Sequence, residues 1–559
     1  MKSLFTTILI SIAFLTLYGC AKQGMPSGGP KDTEPPRILS ASPANSTLNF
    51  NGDEFYIAFD EYVVLKDVEN NILVSPPLKN KPEYRTKGKG VQVRLKDTLL
   101  ENTTYLFQFK NAIADFNEGN LLPSLNYVFS TGSYIDSMTV GGRVTEALTH
   151  EPLEDAVSVW LMSLSDGEIF MTTWGDSTAS APTIAYTTRC DKDGTFRFNH
   201  IRPGTYNIFA IKDENKNQQL DPGEGVAFLP QHVEAKNSKD SVVVGNKLLS
   251  AADIDTVQLF LFTPKNDKQR ITSSNFVAAG KIRITSMLPM TDPTILSGDE
   301  EVTWHLNKSR DTLTLWTFRQ KCDSIQLIVS DPSGIQDTMR LRWRPKKAGL
   351  NQLPQNNIRL NYSKLPFFDT LAILFSTPLA ALQSGDSIVT IMRLKDSSVT
   401  ICSALLYYDF LKAAIPYNFI QGEKYAVSIA KGRLKDLYNQ DIDSLRAVVE
   451  VSRADDYGNL KMQLVDSGNS VESPLTVQLL DEKGKVLSER SAVVNDYVEF
   501  KNLKPAKYRI RAIVDDNGNG KWDTGDFAHR LQPERVLYFP KILDIRANWD
   551  FDEKFEVGR

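Results

Sequence analysis

From Arg37 onward, apolar and polar residues alternate with a period of two, in short runs set between turn residues. Phe55-Tyr56-Ile57-Ala58-Phe59, Val91-Gln92-Val93-Arg94-Leu95 and Tyr105-Leu106-Phe107-Gln108-Phe109 are clear early cases. Such alternation places one set of side chains on each face of an extended strand, so that one face can be buried while the other stays wet. Sustained helical periodicity is absent. The pattern predicts an all-β protein, and 559 residues suffice for several separate cores when single domains seldom exceed about 200 residues.

The chain also repeats itself. Residues 33–132 carry Phe59-Asp60-Glu61-Tyr62-Val63, then Asn102-Thr103-Thr104-Tyr105, then Asp115-Phe116-Asn117-Glu118-Gly119-Asn120; residues 351–453 run through Phe375-Ser376-Thr377-Pro378-Leu379, Gln421-Gly422-Glu423-Lys424-Tyr425 and Asp436-Leu437-Tyr438-Asn439-Gln440-Asp441 in the same order. These are two copies of an A unit. A second repeat aligns without a gap: Phe198, Ile201, Pro203, Tyr206, Ala210, Ile211, Asp213, Asn215, Asn217, Asp221 and Gly223 each return as the same or a similar residue 302 positions later, from Phe500 to Gly525. These are two copies of a B unit. The expected order is A, B, a central module, A, B, as a multidomain array of β-sandwiches. The boundaries are 37–132 and 133–245 for the first pair, 246–350 for the centre, and 351–453 and 454–559 for the second pair.

The A units resemble the bacterial Ig-like module of the S-layer type, through their Phe-Ser-x-Pro-like strand end and the Tyr strand followed by an Asp-x-x-Gly-Asn-like turn; in the second copy Gln440 and Asp441 stand where Gly119 and Asn120 do. The B units resemble the transthyretin-like, or carboxypeptidase-regulatory-like, fold, through Gly142-Arg143-Val144, Gly194-Thr195-Phe196-Arg197-Phe198 and Pro203-Gly204-Thr205-Tyr206. The second copy has Pro505-Ala506-Lys507-Tyr508 and lacks that glycine. The resemblance is to the accessory domain alone and implies no peptidase.

The N-terminus departs from the strand pattern. Lys2 precedes an apolar run from Leu4 to Leu17, shorter than the roughly 20 residues a membrane-spanning helix needs. Leu17-Tyr18-Gly19-Cys20 resembles a lipobox, with Tyr18 where a small or β-branched residue is usual. Residues 1–19 are expected to be a cleaved lipoprotein signal peptide and Cys20 the lipidated residue. Residues 20–36, which include Pro26-Ser27-Gly28-Gly29-Pro30 and Pro35-Pro36, then form a flexible tether. With this start the layout is similar to the Ig-like-domain lipoproteins of the Bacteroidota. That resemblance implies lipid anchorage in the outer membrane and leaves open the periplasmic or the cell-surface leaflet.

Net charge is −4, with Lys+Arg 64 against Asp+Glu 68, and neither sign gathers into a block. Nothing in this balance attracts nucleic acid. Three cysteines follow Cys20 (Cys190, Cys322 and Cys402), so at most one disulfide can form among them. No Gly-x-Ser-x-Gly, phosphate-binding loop or His-Glu-x-x-His occurs, and no enzymatic activity is expected.

One motif carries chemistry. Asp213, Asn215, Asn217, Gln219, Asp221 and Glu224 occupy positions 1, 3, 5, 7, 9 and 12 of an acidic loop, and Asp515, Asn517, Asn519, Lys521, Asp523 and Asp526 repeat the spacing. This is the ligand spacing of an EF-hand loop: a tightly curled chain turns alternate oxygens inward onto a hard cation, position 7 lends its backbone carbonyl, and position 12 closes the shell. Gly520 fills the turn position that Gln218 fills in the first copy. The flanking Tyr206–Ile211 run reads as strand, so only the loop is shared. Calcium with a structural role is the expected cofactor, and solvated Asx-turns without metal are the alternative.

Tether, repeated sandwiches and the lack of a catalytic constellation together lead to the expectation of a non-catalytic outer-membrane scaffold or accessory subunit of an envelope protein assembly. Its partners would be the membrane, through the lipid, and other envelope proteins. The alternative is a glycan-binding surface lipoprotein, since sandwiches often present aromatic platforms.

Overall fold

The computed structural model describes residues 32–558 apart from 154–156, 174–182, 238–240, 245–246, 251–256, 265–268, 299–300, 319–323, 344–355, 381–386, 407–410 and 469. The expected signal peptide, Cys20 and the expected tether up to residue 31 lie outside the described residues, as does Cys322. Cys190 and Cys402 are free thiols. The chain divides into two compact units: Met1–Thr145, Pro152–Leu220 and Val226–Leu261 form one, and Glu146–Glu151, Asp221–Gly225 and Phe262–Arg559 the other.

The protein is all-β, as its alternation predicts. In the first A module, strands Ile38–Ser42, Glu54–Phe59, Gly90–Arg94 and Glu83–Thr86 make one sheet, and Leu125–Ser130, Thr104–Phe109 and Ile72–Ser75 the facing one. Their inward positions close a core rich in aromatic rings. Phe55, Phe107 and Phe129 are buried, with Phe107 meeting Phe55 edge-on at 5.1 Å. Such edge contacts add to simple area burial because the ring edge is positive and its face negative.

The second A module reproduces this plan. Ile358–Leu360, Ala372–Phe375, Lys412–Ala414 and Leu405–Leu406 pair in the same spatial order, against a sheet that runs Lys364–Leu365, Leu445–Val451, Lys424–Ile429, Ser387–Arg393 and Val399–Ser403. Small irregular features recur as well. Tyr105 Oη accepts the Leu100 N–H at 2.9 Å and Tyr425 Oη accepts that of Ile420 at 3.1 Å. Three residues before each tyrosine the backbone turns left-handed, at Asn102 and at Gly422.

The B modules share a plan of their own. In the second, Gly458–Val465 lies between Tyr497–Leu503 and the closing strand Asp550–Glu556, with which it runs parallel. In the first, Met138–Glu146 lies between Thr195–Ile201 and Lys236–Asn237, and Val257–Leu261 also pairs with it. That last strand was expected in the central module; by its hydrogen bonds it belongs to the sheet of the first B module. The central sandwich is built from Ile271–Ala278, Lys281–Ser286, Thr312–Thr317 and Val302–Leu306 over Thr294–Ser297, Ser324–Asp331 and Ile335–Arg342, around buried Ile284, Leu315 and Leu327.

Among the described residues two short α-helices interrupt the strands, Val68–Asn71 and Leu164–Thr172. The sequence reading found neither. The longer one is capped by Ser163, whose hydroxyl accepts the Asp166 N–H at 3.1 Å, and it turns Phe170 inward against Phe209.

Candidate metal-binding loops

Both acidic loops leave the end of a strand, Thr205–Ile211 in the first B module and Ala506–Val514 in the second. The two fold alike, bond for bond. Asp213 Oδ1 accepts the Asn217 N–H at 3.1 Å and its Oδ2 that of Gln218 at 3.0 Å; Asp515 does the same for Asn519 at 3.0 Å and Gly520 at 2.7 Å. Asn215 Oδ1 accepts from Asn217 N, and Asn217 Oδ1 from Gln219 N; Asn517 and Asn519 repeat both bonds in the second loop. Each Asp or Asn thus bends the backbone over its own side chain, which is why these residue types stand at alternate positions.

In the second loop Asn517 Nδ2 and Asn519 Nδ2 both donate to Asp523 Oδ2, the first at 2.6 Å, so positions 3, 5 and 9 of the motif meet at one carboxylate. Asp515 is buried at its base. Among the described residues no group of three or more His, Cys, Asp and Glu side chains stands ready to hold a metal. What the loop offers is a mixed set, two carboxylates with two amides and the Lys521 carbonyl.

Position 12 behaves differently in the two copies. Asp526 turns to His529, whose Nδ1 lies 2.7 Å from Asp526 Oδ2. Burial acts to raise the Asp526 carboxyl, but the His529 ring and N–H outweigh it and hold it below the usual carboxylate range. The carboxylate that reaches the loop is Glu534, which accepts the Asp523 N–H at 2.9 Å and the Asp516 N–H at 3.0 Å. In the first copy Glu224, at position 12 itself, accepts the equivalent Asp221 N–H at 2.9 Å. Two glutamates from different places in the alignment therefore do one job. Glu534 is the residue that sequence reasoning missed, and no spacing rule would have found it, because it arrives from beyond the loop. Burial, reinforced by the charges of Asp523 and Asp515, holds Glu534 above the usual carboxylate range, although the Asp523 and Asp516 N–H groups pull the other way.

Gln218 sits at φ 58 and Lys216 at φ 60, the left-handed conformation that Gly518 and Gly520 take in the second loop at φ 71 and 74. The missing glycine has not changed the loop's path; it has left side chains where the backbone disfavours them.

Trp160 and Trp316 are fully buried, while Trp304 and Trp343 are half-buried. Exposed aromatic rings lie elsewhere, among them Tyr62, Phe116 and Tyr134 of the first unit and Trp549 and Tyr497 of the second B module. Arg546 stacks over Trp549 and Lys461 over Tyr497, with the cation 5.5 and 4.4 Å from the ring centre.

Residues 32–131 match the bacterial Ig-like domain family, and residues 156–222 match a family described as polysaccharide lyase family 4, domain II, an fn3-like domain. No curated protein matches the chain. Among solved structures, the chain is similar to the TIE protein of Bacillus anthracis at 11% identity, covering 95% of this chain and 76% of that one with a TM-score of 0.14. The major pilin subunit of Bacillus cereus is similar at 9% identity, over 75% of this chain and 98% of the other, with a TM-score of 0.15. The S-layer protein SbsC is similar at 12% identity, over 91% and 67%, with a TM-score of 0.13.

Proposed function

We propose that the protein is a non-catalytic, lipid-anchored outer-membrane protein of the Bacteroidota lipoprotein type, serving as a scaffold or accessory subunit of an envelope protein assembly. The observation that carries this reading is the repeated pair of sandwiches, A then B, each module with its own closed apolar core. Strings of self-supporting modules give reach and surface at little folding risk, because each core forms from near neighbours. Isolation of the full chain from gently solubilised membranes, followed by identification of stoichiometric companions, tests it. Recovery of the chain without any protein companion at native abundance would overturn it.

In this reading the acidic loops hold calcium. Asp515, Asn517, Asn519 and Asp523 would hold it in the second loop with the Lys521 carbonyl, and Asp213, Asn215, Asn217, Asp221 and Glu224 are the counterparts in the first, with the Gln219 carbonyl. The ion would neutralise carboxylates that otherwise repel one another and would stiffen the strand end that carries them.

A second reading, glycan binding, draws on the family description matched by residues 156–222 and on the exposed rings of Trp549 and Tyr497. Carbohydrate array binding that is lost in Trp549→Ala would favour it over the scaffold; a blank array would set it aside.

A further inference from the structure

The first A and B modules pack together through a defined junction. The outer face of the Thr104–Phe109 sheet carries Leu106 and Val128, only 4% and 5% exposed, and Ser75, whose Oγ accepts the Thr187 N–H of the B module at 3.1 Å. At its margin Lys110 pairs with Asp191 at 2.9 Å, and the Arg202 guanidinium reaches the Asn102 carbonyl and Thr103 Oγ1.

Strand register carries each of these positions onto the second pair. Tyr105 corresponds to Tyr425, so Leu106, Lys110, Thr103 and Val128 become Ala426, Ala430, Glu423 and Val448. On the B side the offset of 302 turns Asp191 into Val493, Arg202 into Lys504 and Thr187 into Glu489. One pair of substitutions matches across the junction: the ion pair Lys110–Asp191 is replaced on both sides at once, by Ala430 and Val493. Lys504 stands where Arg202 does, and Glu423, at the position of Thr103, pairs within its own module with Arg393 and Lys395, both at 3.2 Å. Yet the second junction is open: Val448 is 57% exposed and Val493 54%. Around Val448 the register aligns Ala426, Met392 and Val399 in one apolar row across the sheet, with Val399 58% and neighbouring Ile401 60% exposed. An outward row of this kind normally carries polar side chains.

The second pair is held otherwise. Tyr457, at the position of Ser137, packs on Phe367 and Phe368 with ring centres 5.9 and 5.4 Å away, and Lys364 pairs with Asp456 at 3.0 Å. Both halves of the junction thus stand uncovered on one chain. We infer that the open face of the second A module is filled by the second B module of another copy of this chain, and reciprocally, giving a two-fold dimer with two equivalent A–B junctions. Each face meets the partner of the other, so the assembly closes on itself.

The full chain in detergent micelles tests this by sedimentation. A dimer is expected, with Val448→Lys weakening it about tenfold or more, as befits a buried central contact. Lys504→Glu, which sets a second carboxylate against the Glu423 margin without touching the Arg393–Glu423–Lys395 cluster, should weaken it too. Oxidising the Ala430→Cys, Val493→Cys double variant should give a covalent dimer absent from either single variant. A monomeric wild type, a dimer indifferent to Val448→Lys, or a disulfide formed within one chain would each overturn the inference.

Discussion

At the residue scale, buried carboxylates organise both kinds of module. In the first A module Asp115 is buried and gathers the N–H groups of Glu118, Gly119 and Asn120 at 2.6, 2.9 and 2.6 Å. Asp436 takes those of Tyr438 and Gln440, both at 2.9 Å. Burial acts to raise the Asp115 carboxyl, but the three N–H donors outweigh it and hold it below the usual carboxylate range. A folded-state value below the unfolded one stabilises above the unfolded value, and that gain is lost as pH falls through the folded value. Urea titrations of the first unit from neutral to acid pH should therefore lose stability, and Asp115→Asn should flatten the dependence while lowering stability at neutral pH; an unchanged acid slope would refute the role. The loops offer a second test at this scale. A methyl group at Gly520 would meet open space, so Gly520→Ala costs only backbone strain, about 1 kcal/mol. Gln218→Gly should act oppositely and stabilise the first loop by about 0.5 kcal/mol, both read from denaturant midpoints.

At the element scale, what decides a strand's place is its partner, and partners are often far away in sequence. Alternation made the Thr104–Phe109 and Lys424–Ile429 strands legible, and the gapless repeat made the B modules legible, because both signals are local or self-referential. Val257–Leu261 reads equally well as a strand, but nothing inside it says that its sheet began more than a hundred residues earlier. The helix at Leu164–Thr172 is one turn too short to show periodicity against its surroundings; the Ser163-x-x-Asp166 cap was its only local mark. In the loops, ligand-type residues at alternate positions announced the turn geometry, whereas Glu534 was hidden because its approach depends on the fold of the following segment. Two substitutions probe the elements directly. Phe107→Ala empties a fully buried ring site and should cost about 3–5 kcal/mol, lowering the unfolding transition of the first unit. Truncation before Asp550 removes the parallel strand that buries Phe555 and Val557 against Gly458–Val465, and should abolish cooperative unfolding of the second B module in calorimetry.

At the scale of the whole molecule, the two acidic loops give a handle on the cation proposal that needs no knowledge of partners. A ligand that binds only the folded chain stabilises it by RT ln(1 + [L]/Kd), so calcium at about ten to a hundred times a dissociation constant of roughly 10⁻⁴–10⁻³ M adds about 1.4–2.7 kcal/mol. The second loop, with glycines at both left-handed positions where the first has Lys216 and Gln218, should dominate that gain. Millimolar calcium is therefore expected to raise the transition of the unit that contains Asp515–Asp523 by several degrees, with magnesium much less effective because it demands a smaller, near-octahedral shell. Asp523→Ala should remove the shift, whereas Asp526→Ala should leave most of it, since Asp526 is engaged with His529. If Asp526→Ala abolished the shift and Glu534→Gln did not touch it, the spacing rule would have outranked the folded geometry. Sodium chloride at matched ionic strength separates specific binding from charge screening, because screening acts on every exposed carboxylate alike and would survive Asp523→Ala.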